Sequence, residues 1–205
     1  MVVAFMVSAR NRQALGRQRA NGKGQAASQA AQQITLGIRP AKANDLEALL
    51  VLENTCFQSD RMSRRAFRRA LGNPRAQIAV VPGPGSGLGS GPNSGLGSGP
   101  DGGLLGAAVV YTRQDSPAAR LYSIAVHPAA RGQGLARRLL RHMEIAAQKN
   151  GAREMRLEVS INNRAALALY EESGYEIFAR VSGYYEDGAD ALRLAKPLAP
   201  RPGSN

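Results

Sequence analysis

Between Leu121 and Lys149 the apolar period changes once, at a pair of glycines, and that change constrains the fold more than any other feature. The run into Ile124-Ala125-Val126, closed by His127-Pro128, reads as a strand. From Leu135 onward, apolar residues recur at Leu139, Met143 and Ala146, the spacing of one helical face. Between the two lies Arg131-Gly132-Gln133-Gly134, a tight turn whose glycines admit close backbone approach and backbone angles that side chains forbid. A strand, a glycine turn and a helix in that order aim bare backbone N–H groups at an anion, and the helix dipole adds positive potential there. The sequence therefore predicts a phosphate or pyrophosphate cradle over 131–137. At this turn neither G-x-x-x-x-G-K-[ST] nor G-x-G-x-x-G is present, which argues against a nucleoside-triphosphate loop and a dinucleotide fold there.

The rest of the chain supplies elements for a sheet around that turn. Strands are predicted over 34–39, 77–81, 104–112, 119–126, 155–159, 175–181 and 189–194. Helices are predicted from Leu46 to Phe57 with Asn44-Asp45 as N-cap, from Arg64 to Leu71 capped by Ser63, from Leu135 to Lys149, and from Asn162-Asn163 to Ser173 with Gly174 as stop. The order β-α-α-β-β-β-α-β-α-β-β gives a mixed α/β sheet flanked by helices. Inside the predicted hairpin of 77–81 and 104–112, residues 82–103 contain a tandem octamer, Ser86 to Asn93 and Ser94 to Asp101, whose composition is that of a flexible coil.

Composition bounds the partners. Of 27 basic and 15 acidic residues, five basic ones (Arg10, Arg12, Arg17, Arg19, Lys23) fall in the first 33, which contain no acid, leaving +7 for the remainder. Residues 1–33 and 199–205 are expected to be disordered tails, the first basic, with an upstream start codon or an organelle-targeting segment as the other readings of the first. No run is long and apolar enough to span a membrane. The lone Cys56 excludes an internal disulfide and suits a reducing, cytoplasmic setting. His127 and His142 lack partners at ligand spacing, so no metal site is expected. Arg64, Arg65, Arg68 and Arg69 crowd one short helix, as a solvated face or a surface that steers an acceptor.

Two stretches carry chemistry. In Met155-Arg156-Leu157-Glu158-Val159 the charged pair shares one face and the apolar trio the other. That face meets either a cleft or open solvent. Asn163, Ala166 and Tyr170 recur at i, i+3 and i+7 and stack on one helix face. They either frame a slot for a narrow ligand or serve as a cap and a packed aromatic.

Arg131-Gly132-Gln133-Gly134-Leu135-Ala136 resembles the [Q/R]-x-x-G-x-[G/A] signature of the GNAT acetyltransferases. Leu157-Glu158-Val159, Asn163, Ala168 to Tyr175 and Gly183-Tyr184-Tyr185 are similar to the second half of that family's domain, and more narrowly to its RimI-type Nα-acetyltransferases. The resemblance spans 34–198. It implies a GNAT fold, acetyl-CoA as co-substrate, and a protein N-terminal α-amine as acceptor, a ribosomal protein among the candidates, with ribosome association left open and a small-molecule amine as the alternative. A non-catalytic coenzyme- or RNA-binding module is a third reading. By the resemblance, Ile124, Ala125 and Val126 present backbone to the pantetheine arm. Arg131, Gly132, Gln133, Gly134, Leu135, Ala136 and Arg137 wrap the pyrophosphate, and Asn163 binds nearer the thioester. Glu158 matches the proton acceptor and Tyr170 the proton donor. The Pro-Trp pair common after the first helix of the RimI type is absent, and Gln58-Ser59-Asp60 stands there.

Overall fold

A computed structural model describes residues 37–83 and 103–198. The expected tails over 1–33 and 199–205, and nearly all of the glycine-rich insertion, lie outside the described residues. Seven strands form one sheet in the order β1-β2-β3-β4-β5-β7-β6. They are β1 (Arg39–Pro40), β2 (Ala76–Pro82), β3 (Leu104–Arg113), β4 (Ser116–Val126), β5 (Glu154–Ser160), β6 (Glu176–Val181) and β7 (Ala191–Pro197). Every neighbouring pair is antiparallel except β4 and β5. The helices are α1 (Leu46–Cys56), α2 (Arg64–Leu71), α3 (Leu135–Lys149) and α4 (Arg164–Glu172).

The period-2 alternation of the strands sends side chains into two separate cores. One face packs on α3 and α4 through Leu121, Leu139, Met143, Leu157 and Leu194. The other packs on α1 and α2 through Leu49, Leu52, Phe67, Val80 and Val109. Each such side chain contributes roughly 1.5–3 kcal/mol of transfer free energy on burial. β3 is buried along most of its length because helices cover both faces.

Several boundaries differ from those read in the sequence. β4 starts at Ser116, and a turn at Gln114-Asp115 makes β3 and β4 a hairpin; this turn carries neither glycine nor proline. β1 is two residues long and includes Pro40, which an edge strand tolerates because one side needs no donor. Asp45 does not cap α1 with its side chain. Its carboxylate accepts the Lys42 N–H at 2.6 Å and pairs with Arg39 at 2.7 Å, which stabilises a 3-10 turn over Ala43–Asp45 ahead of the helix. Ser63 does cap α2, accepting the Ala66 N–H at 3.2 Å.

One irregularity shapes the middle of the sheet. Val109 lies opposite Ser123 and Val110 opposite Leu121, so Tyr122 is an extra residue on β4, a bulge. Bulges bend and over-twist a strand. Accordingly β4 pairs with β5 only over Ala118–Arg120 and Glu154–Arg156. Beyond that point the two parallel strands part, while β5 stays paired with β7 along its whole length.

Candidate active site

The parting of β4 and β5 leaves Ile124, Ala125 and Val126 paired to β3 on one side and to no strand on the other. Glu158 lies on β5 just past the last paired residue, Arg156. Alternation buries Met155, Leu157 and Val159 in the α3–α4 core and turns Glu158 to the opposite face. On that face Arg156 is exposed, whereas Glu158 is nearly covered by neighbouring residues. The Glu158 side chain is only 12% exposed. Arg120 on β4 donates to Glu158 Oε2 through Nε at 3.0 Å and approaches it through Nη2 at 2.8 Å. The same Nη2 donates to the Tyr184 hydroxyl at 3.2 Å. Arg193, cross-strand from Glu158 on β7, stands 3.7 Å from its other oxygen. Burial alone would lower the Arg120 pKa; the Glu158 charge and Tyr184 raise it above the ordinary arginine value.

Tyr170 approaches from the other side. It lies on α4, fully buried among the α3–α4 core, with its ring edge-on to Tyr175 at 5.6 Å. Its hydroxyl has no hydrogen-bond partner among the described residues. Buried phenols ordinarily find one, so an unsatisfied hydroxyl here calls for an explanation. Burial, reinforced by Tyr185, drives its pKa far above the ordinary phenol value. Tyr185, mostly buried between β6 and β7, is within electrostatic reach of both Tyr170 and Glu158. Of the two readings of Asn163, Ala166 and Tyr170, a ligand slot or a cap with a packed aromatic, the full burial of Ala166 and Tyr170 agrees with the second. Asn163 caps α4, its Oδ1 accepting the Ala166 N–H at 3.2 Å.

At the entry to α3, Gly132 and Gly134 take φ of 77° and 71°. Nothing lies within 4 Å of where a Cβ would stand on either. The first helical hydrogen bond of α3 runs from the Arg138 N–H to the Gly134 carbonyl, so the N–H groups of Leu135, Ala136 and Arg137 precede it. The first turn contains no acid to compete with a ligand anion. The Leu135 side chain is buried in the core, leaving its backbone to face the turn. Gln133 donates to the Ala129 carbonyl, Arg137 pairs with Glu172, and Arg131 Nε donates to the Val126 carbonyl at 3.2 Å. The space above both glycines and the N–H groups ahead of the first helical bond suit an anion.

Arg120, Arg193 and the buried acid Glu53 escaped the sequence reading. Alternation on β4 places Arg120 on the same face as Tyr122, but its meeting with Glu158 depends on where β4 and β5 separate. No local pattern encodes that. Among the described residues, no cluster of three or more His, Cys, Asp or Glu could hold a metal, and no helix is long and apolar enough to cross a membrane.

A mixed sheet of seven strands flanked by helices is also the architecture of solved GNAT acetyltransferases. The crystal structure of the ribosomal-protein-S18-alanine N-acetyltransferase from Escherichia coli matches with a TM-score of 0.64 at 26% identity, covering 82% of this chain and 97% of that one. The NatC complex bound to Gag peptide and CoA contains a chain matching at TM-score 0.61 and 23% identity, over 80% of this chain and 98% of that one, a likeness of fold. Residues 91–175 match the Acetyltransferase (GNAT) family. The [Ribosomal protein bS18]-alanine N-acetyltransferase of Escherichia coli K12 is 38% identical over 96 residues, 45% of this chain and 65% of that protein. An N-alpha-acetyltransferase of Saccharolobus solfataricus is 41% identical over 78 residues, 37% of this chain and 46% of that protein. The chain thus spans about 65% of the length of the first of these curated relatives.

Proposed function

We propose that the protein is an N-acetyltransferase that moves an acetyl group from acetyl-CoA to the α-amine of a protein or peptide. The observation that carries this is the pair flanking the split strands: the Glu158 carboxylate held by Arg120 on one face and, on the other, a buried Tyr170 hydroxyl with no partner among the described residues. The names of the relatives, which include a ribosomal-protein alanine N-acetyltransferase and an N-alpha-acetyltransferase, support the reading. The backbone of Gly132 to Arg137 would hold the diphosphate, and the edge of Ile124 to Val126 that pairs with no strand would hold the pantetheine arm. Asn163 would contact the ligand nearer its acetyl end.

Acetyl-CoA supplies an activated thioester carbonyl. An amine attacks such a carbonyl only when unprotonated, and Glu158, directly or through a water, takes the amine's proton. Each pKa unit is worth about 1.4 kcal/mol, so freeing an α-amine of pKa near 8 at pH 7 costs roughly 1–1.5 kcal/mol, against more than about 4 for a lysine near 10.4. That difference favours an α-amine. Tyr170, neutral throughout the physiological range, keeps a proton at its oxygen for the departing sulfur. Arg120 holds the Glu158 carboxylate in place, and Tyr184 orients Arg120.

The full chain is incubated with labelled acetyl-CoA, peptides bearing free α-amines, the same peptides with blocked N-termini and an internal lysine, and small amines. Label on the α-amine is expected. Label on lysine or small amines alone would overturn the acceptor assignment.

A further inference from the structure

Within α1, Glu53 is only 4% exposed and takes no part in the chemistry above. Its Oε1 accepts the Met62 N–H at 2.8 Å. The hydroxyl of Ser123, a residue 5% exposed, donates to the same carboxyl group from β4. Two further bonds join the same parts. Cys56 Sγ donates to the Val126 carbonyl at 3.3 Å, and Arg61 Nη1 donates to Asn54 Oδ1 at 3.0 Å.

These contacts join two places that matter for the site. Met62 closes the loop 57–62, which turns through Asp60 at φ 54°, a left-handed value uncommon outside glycine. Phe57 and Met62 pack in the α1–α2 core with Tyr122 and Ala125, so the loop lies on the sheet face to which Glu158 turns, and Asp60 and Glu158 both act electrostatically on Tyr185. Ser123 adjoins the bulge at which β4 departs from β5. One buried carboxyl group therefore touches the loop beside the acceptor and the strand at the mouth of the split. A leucine at this position would pack without burying a charge.

We propose that Glu53 is a positioning residue that pins loop 57–62 to the bulge of β4 and so sets how the acceptor, rather than the coenzyme, is held. This rests on the acetyltransferase reading. Burial raises the Glu53 pKa to about 7, against the pull of the Met62 and Ser123 hydrogen bonds and of Arg61. The other titratable or charged groups facing it are Arg61 from the loop, Cys56 from its own helix, pushed up to about 11, and Tyr122 from β4, pushed up to about 12. Between pH 5 and 9 Glu53 is the member of that set whose charge changes.

The test compares the full-length protein with Glu53→Gln, which keeps the shape and an acceptor oxygen, and Glu53→Ala, which removes both. Amide hydrogen exchange at Met62 is expected to quicken at least tenfold in Glu53→Ala and less in Glu53→Gln. The KM for the best peptide of the α-amine panel is expected to rise at least fivefold in Glu53→Ala, with partial rescue in Glu53→Gln. The calorimetric Kd for acetyl-CoA is expected to stay within twofold in both. Unchanged Met62 exchange in both variants, or a coenzyme Kd that weakens as much as the peptide KM, would overturn the assignment. Absence of any acetylated peptide would count against the α-amine reading alone, and Met62 exchange would still decide the role of Glu53.

Discussion

Replacing Tyr170 by phenylalanine should make the protein more stable and less active at once. The hydroxyl is buried without a hydrogen-bond partner, so the wild-type fold bears a desolvation cost of about 1–3 kcal/mol with no bond to offset it. Phenylalanine removes the oxygen while keeping the ring, its edge-on contact with Tyr175 at 5.6 Å and its place in the core. No cavity larger than one oxygen forms, and the expected gain is about 1 kcal/mol after imperfect repacking. For a domain of this size that corresponds to a rise in Tm of roughly 2–4 °C. Turnover should fall at least tenfold, within the roughly 10²–10⁴ range of general acid–base contributions. Differential scanning calorimetry without coenzyme and steady-state acetyl transfer measure the two quantities on one preparation. A Tm lowered by several degrees would show that the phenol is satisfied in solution. Full activity would show that it donates no proton.

Glu158→Gln should cut turnover at least tenfold with acetyl-CoA affinity nearly intact, measured by acetyl transfer and calorimetry in parallel. Gly134→Ala forces φ 71° on a side-chain residue, costing about 1–2 kcal/mol of stability. Since nothing lies within 4 Å of the new Cβ, that cost is conformational, and calorimetry should show coenzyme binding weakened about tenfold as the methyl enters the space above the turn. Glu53 gives stability a pH slope. Its folded pKa of about 7 exceeds the ordinary 4.5, so its contribution is complete below pH 4.5 and lost as pH rises through 7. The loss is on the order of 3 kcal/mol, and denaturant titrations of Glu53→Gln across that window should lack it.

Local pattern carried most of the architecture. The period change at Gly132-Gly134 located β4, the turn and α3, and alternation in 155–159 put Glu158 opposite Leu157. What local pattern could not carry depends on partners distant in sequence. The Tyr122 bulge exists only relative to the register of β3 on β4, and it decides where β4 leaves β5 and hence that Arg120 meets Glu158. Asp45 looked like a helix cap because Asp favours that position, but Arg39 six residues earlier claimed its carboxylate. The i, i+3, i+7 spacing of Asn163, Ala166 and Tyr170 placed them on one helix face correctly. It could not reveal that α4 presses that face into the core, leaving the Tyr170 hydroxyl orphaned. Glu53 sits in an apolar helix pattern as an apparent exception, and only the fold brings Met62 and Ser123 to it.

The central claim is that the glycine turn ahead of α3 and the split between β4 and β5 together hold one molecule of acetyl-CoA. Isothermal titration calorimetry of the folded full-length chain tests it directly. The account predicts saturable binding at one site per chain, weakened by Gly134→Ala and nearly unchanged by Glu158→Gln. A folded protein that takes up no acetyl-CoA, or binds it with equal strength when Gly134 is replaced, would contradict it.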